Sequence, residues 1–124
     1  MSAYCTQSDI EARFGTQNVS TWSTLDSDDD AATKLARVTV AIAVASDELD
    51  EVLRVVPEHE SKLPISTVPD SVEDKVAIRA GIWLYQFRAD ADFAAKDGFF
   101  AWLMRQYRVW LQEVRTGKRK LNIP

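Results

Sequence analysis

Several kinds of residue are scarce in this 124-residue chain, and each scarcity excludes something. The one cysteine, Cys5, cannot close an internal disulfide, which suits a reducing compartment. A single histidine, His59, leaves no second imidazole to complete a zinc set. The four glycines are scattered, so there is neither a loop to cradle phosphate nor a serine elbow. No apolar run approaches the ~18 residues that span a bilayer. The opening Met1 to Thr6 has neither a basic region nor an apolar stretch, so neither a membrane nor a secretion signal is expected. Strand-period alternation and internal repeats are missing too. These gaps point to an all-α protein that binds something, with no catalytic residue, cofactor or metal site.

What is present is enough apolar residue to close one core. The charge is uneven. Residues 1–74 carry 5 basic and 15 acidic side chains, a balance of −10, and residues 75–124 carry 10 and 4, a balance of +6. Two readings stay open: the halves neutralise one another within a subunit, or unlike ends of neighbouring copies meet.

Four helices are legible. Thr6, with Asp9 three residues later, opens a short helix over 7–14 that Gly15 stops. Residues 16–30 read as a loop pinned by Val19, Trp22 and Leu25. Ala31, Leu35, Val38, Ile42, Ala45, Leu49 and Val52 then form one apolar stripe on a helix about 35 Å long, capped by Asp28 to Asp30. Residues 54–68 read as an irregular loop. Pro69 opens a third helix over 71–88, apolar nearly all round, so part of it is expected to meet another subunit. A fourth runs over 98–116, with Phe99, Leu103, Tyr107, Trp110 and Val114 inward and Gly117 as its stop. Residues 1–117 thus make one domain, followed by an extended basic tail, 118–124.

The chemical candidates mostly dissolve. Asp26, Asp28 and Asp30 have the spacing that opens a calcium loop, but Ala31 stands where the glycine belongs and Arg37 where the glutamate does. His59 between Glu58 and Glu60 reads as an exposed loop histidine. Cys5 with His59 lacks any nucleophile signature. Arg115, Lys118, Arg119 and Lys120 could touch phosphate, yet a dedicated nucleic-acid binder carries a broader basic face. Arg79 sits among apolar residues and needs a carboxylate from the second helix: Asp47, Glu48, Asp50 or Glu51.

Read end to end, a set of motifs emerges: Tyr4-x-Thr6-x-x-Asp9-Ile10, Phe14-Gly15, the Asp26 to Asp30 cluster, and Asp47-Glu48-Leu49-Asp50 with Val52-Leu53. Leu63-Pro64, Val68-Pro69, Ile82-Trp83-Leu84-Tyr85 and Tyr107-Arg108-Val109-Trp110-Leu111 follow, with Gly117 and Leu121. In this the chain resembles the neck proteins of Mu-like tailed bacteriophages, known as head–tail connector, adaptor or head-completion proteins. It departs from them at Ala31 and in a longer link from Arg54 to Lys62.

The resemblance implies a homo-oligomeric ring, twelvefold, beneath the portal protein of a DNA-filled head. Such a ring extends the channel and joins head to tail or tail-terminator protein. Genomic DNA passes through without sequence-specific binding, and the location is the virion neck, assembled in the bacterial host cytoplasm. The competing classes are a phage-encoded helical protein that binds a host factor and a small nucleic-acid-binding regulator. Within the ring reading, Lys118, Arg119, Lys120, Leu121 and Ile123 are the expected portal or inter-subunit contacts. The three charges would steer a free tail and the apolar pair would hold it.

Overall fold

The computed structural model describes residues 3–24, 30–87 and 98–124. Among them are six helices and no strands: α1 (Gln7–Phe14), α2 (Thr16–Trp22), α3 (Ala31–Leu53), α4 (Pro57–Glu60), α5 (Asp70–Gln86) and α6 (Gly98–Arg115). The fold is all-α.

Local signals account for the ends of the helices. Thr6 Oγ1 accepts from the Asp9 amide and Asp9 Oδ2 accepts from the Thr6 amide, a complete capping box on α1. Asp30 Oδ2 caps α3 by accepting from the Thr33 amide at 3.1 Å. Asp26 and Asp28 lie outside the described residues, as does the link over 89–97. Gly15, at φ 92°, lets α2 follow α1 with no intervening loop.

Two expected loops are helical in part. Residues 16–22 form α2 because Val19 and Trp22, three apart, share a face and are both buried. Leu25 lies outside the described residues. The 54–68 segment contains α4, opened by Pro57 at its first position, and buries Val56, His59 and Ile65. His59 is therefore an interior residue, 2% exposed, and not the surface histidine expected from its glutamate neighbours. Glu58 and Glu60 are the exposed ones.

Helix α5 is the axis of the molecule. It packs against α1, α2, α3 and α6, which is why it can be apolar nearly all round. Val76, Ile78, Ala80 and Ile82 are buried on opposite sides of it by helices of the same chain. Helices α1 and α2 of the same chain supply much of that cover, α2 from a stretch expected to be loop, while Trp83 and Tyr85 stay only partly buried and Phe87 is 52% exposed. At one end of α5, Phe14, Trp22, Tyr85 and Phe100 form an aromatic cluster, with Tyr85 and Phe100 stacked at 3.9 Å. On α6 it is Phe100, not Phe99, that joins this cluster; Phe99 is 61% exposed. On α3, Ala31 and Leu35 are likewise exposed, and the covered face begins at Val38.

Candidate assembly surface

Four carboxylates crowd residues 47–51 of α3, and the fold divides them into two pairs. Glu48 takes Arg79, whose Nε donates to Glu48 Oε1 at 3.3 Å. Asp50 accepts from the Tyr4 hydroxyl at 2.5 Å. Asp47 and Glu51 remain exposed.

The Arg79 junction lies where α3, α5 and α6 converge. Tyr107 of α6 is 1% exposed and its hydroxyl lies beside Glu48 without an acceptor at good geometry. Burial, and after it the Glu48 charge, push the phenol well above the usual tyrosine range. The group stays neutral and serves as packing. Arg37 of α3 has an analogous place against α5. Its guanidinium lies 5.0 Å over the Trp83 ring and donates to the Phe87 carbonyl at 2.7 Å, favourable charge at a helix C-terminus. Burial lowers its pKa.

Tyr4 binds three parts of the chain together. Its amide donates to Ser46 Oγ at 3.0 Å, and its hydroxyl also accepts from the Ile65 amide at 3.1 Å. The 54–68 segment is thus tied to α3 and to the residues before α1. Cys5, next in sequence, is buried. Burial first, then the Asp9 and Glu73 charges, push its thiol up to about 12, which leaves it protonated and unreactive. Among the described residues, no three His, Cys, Asp or Glu side chains converge as a metal set.

The C-terminal segment departs furthest from expectation. Gly117, at φ 80°, turns the chain at the end of α6, and the Arg119 amide donates back to the Glu113 carbonyl at 3.1 Å. Residues beyond then fold onto the body. Leu121 and Ile123 are 4% and 5% exposed and belong to the hydrophobic core, and Lys62 Nζ donates to the Ile123 carbonyl at 2.8 Å. Their shared direction, two residues apart in extended chain, is used inside the subunit. The assignment of Leu121 and Ile123 as anchors on a portal or a neighbour is therefore corrected. So is the picture of a free tail. Lys118, Arg119 and Lys120 remain exposed, with Arg119 reaching Glu113 Oε1 at 3.2 Å.

Sequence reasoning missed the outward face of α6. Opposite Tyr107, Trp110 and Val114 stand Trp102 and Val109, each about half exposed, with Arg105 and Arg108 exposed between and beside them. The signal was available, since Trp102 and Val109 fall seven residues apart and off the buried stripe. Trp102 also walls a groove of about 230 Å³ that Lys75, Leu103 and Gln106 line. No helix among the described residues is long and apolar enough to cross a membrane.

These observations define a helical protein with one hydrophobic core cluster and exposed charged and apolar side chains on its outer helix faces. The chain belongs to the bacteriophage Mu Gp36 family: the model described as "Bacteriophage Mu, Gp36" matches residues 4–124. No curated protein matches the sequence.

Proposed function

We propose that this phage protein is a structural subunit of the particle's neck. Copies form a ring, twelvefold by resemblance to neck proteins, beneath the portal. The ring lengthens the DNA channel and carries the tail or its terminator protein, with no catalytic step. Membership of the Mu Gp36 family across residues 4–124 is the observation that carries this reading. The separation of charge supports it, since unlike faces suit head-to-tail contacts that close into a ring. An acidic lumen would let the genome slide by like-charge repulsion. Lys118, Arg119 and Lys120 stay exposed and are proposed for the portal contact, by charge alone.

The test is a phage unable to make the protein. DNA-filled heads without tails are the expected product, and antibody-gold label on wild-type particles should fall between head and tail. Tailed, infectious particles formed without the protein would overturn the reading, as would label confined to any other part of the virion.

A further inference from the structure

Asp47 and Glu51 are one helical turn apart, both exposed, on a face of α3 that also presents Val40; Val55 follows just past the helix. Their two neighbours, Glu48 and Asp50, are engaged within the subunit by Arg79 and Tyr4. The outward pair is not. Like charges at this spacing repel by a few tenths of a kcal/mol in an isolated helix. Arg54, one turn beyond Glu51, forms no ion pair with either among the described residues.

The outward face of α6 is basic. Arg105 and Arg108 stand about one turn apart, unpaired among the described residues, between exposed Trp102 and Val109. The one carboxylate on α6, Glu113, is taken by Arg119. The α3 face therefore carries two carboxylates and one arginine, a balance of −1, and the α6 face two unpaired arginines, each with exposed apolar side chains nearby. The signs are opposite. Each face lies opposite its own helix's buried stripe, Ala41, Ala45 and Leu49 on α3 and Tyr107, Trp110 and Val114 on α6, so within one molecule both are turned away from the core.

We infer that the α3 face of one copy docks on the α6 face of the next, Asp47 and Glu51 against Arg105 and Arg108, with exposed apolar side chains of both helices at the margins of the contact. The occupant is a second copy of this chain, and the contact is heterologous, so that each subunit uses both faces. This rests on the proposal that the protein assembles with itself, and it specifies the surfaces by which it does so.

The test uses two full-length single variants, Glu51→Cys and Arg105→Cys. Cys5 is buried, so the introduced thiol is the reactive one in each. The two are mixed at millimolar concentration in low salt and oxidised. The expected product is the mixed 51–105 disulfide, several-fold above both like-with-like dimers. It should fall several-fold at 1 M salt, where screening shortens to ~3 Å. Placing Asp47→Lys in the first chain should abolish the preference, and adding Arg108→Glu to the second should restore it. Circular dichroism of each variant confirms the fold. A statistical mixture of products, or a preference for like-with-like dimers, would overturn the pairing and leave the neck assignment standing. Conversely, gold label away from the neck would remove that assignment and leave the mixed disulfide unaffected.

Discussion

Gly81 of α5 lies directly against the ring of Phe14 at the end of α1. A Cβ at position 81 would sit 2.1 Å from the Phe14 Cε2 atom, well inside any permitted contact. The ring cannot simply swing aside, because Trp22 and Phe100 hold its other sides at centroid distances of 5.6 and 5.9 Å. This close approach of α1 to the central helix is what places the capped N-terminal segment over α5.

Gly81→Ala should therefore destabilise the protein by about 2–3 kcal/mol, the cost of overpacking. In a Phe14→Ala background the same change should become neutral or stabilising, since alanine favours helix over glycine by about 1 kcal/mol. Urea unfolding of the four combinations checks this. A Gly81→Ala penalty that persists without the ring would show that the contact is not its source.

Glu48→Ala should cost about 3 kcal/mol, because it leaves the Arg79 guanidinium mostly buried and unpaired. Arg79→Met, which removes the charge and keeps an apolar stem, should cost less. A double-mutant cycle in urea should give coupling of at least about 1 kcal/mol between the two residues. Zero coupling would reject the pairing.

Tyr4→Phe deletes a hydroxyl that donates to Asp50 and accepts from the Ile65 amide. A loss of about 2 kcal/mol is expected from the buried groups left unsatisfied. Amide exchange should quicken over residues 63–67 more than over α6. Uniform acceleration across the chain would mean that Tyr4 does not hold the segment locally.

Deleting residues 118–124 should lower stability by about 3–5 kcal/mol, because Leu121 and Ile123 each contribute the burial of a branched side chain. By contrast, Lys118→Glu with Lys120→Glu should leave the melting temperature within a degree or two, since both residues are exposed. Under the neck reading this charge reversal still yields DNA-filled heads that fail to join tails. Normal particles from the charge-reversed chain would remove these lysines from the portal contact.

Cys5 makes stability depend on pH in alkali. Its folded-state pKa of about 12 lies above the free-thiol value of 9.0. The contribution is complete below pH 9 and is lost as pH rises toward 12, because there the unfolded chain binds fewer protons. Tyr107, also raised by burial, adds to the same downward slope. Cys5→Ala should flatten the decline between these limits without abolishing it. An unchanged slope in unfolding titrations would show that the thiol is not desolvated. At neutral pH, alkylation of Cys5 should require unfolding.

Helix boundaries were the most legible part of this chain. The capping pair Thr6 and Asp9, the cap at Asp30, the proline before Asp70 and the turn at Gly117 act through neighbours a few residues away. Such signals can be read without knowing the fold. The inner stripes of α3 and α6 were legible in their middles, where period and burial agree, but not at Leu35 and Phe99, where the stripe continues and the cover does not.

The sequence by itself determined that the protein is all-helical, where its long helices begin and end, and that Arg79 needs a carboxylate from α3. Only the tertiary structure decided which carboxylate. Glu48 and Arg79 are 31 positions apart, Tyr4 and Asp50 46, and Lys62 and Ile123 61. The same holds for Leu121 and Ile123, whose spacing marks them as a pair facing one way without saying toward what. Periodicity records the direction of a side chain relative to its own backbone. Whether that direction meets solvent, the core or another molecule depends on how distant segments pack, and burial energy is won only there.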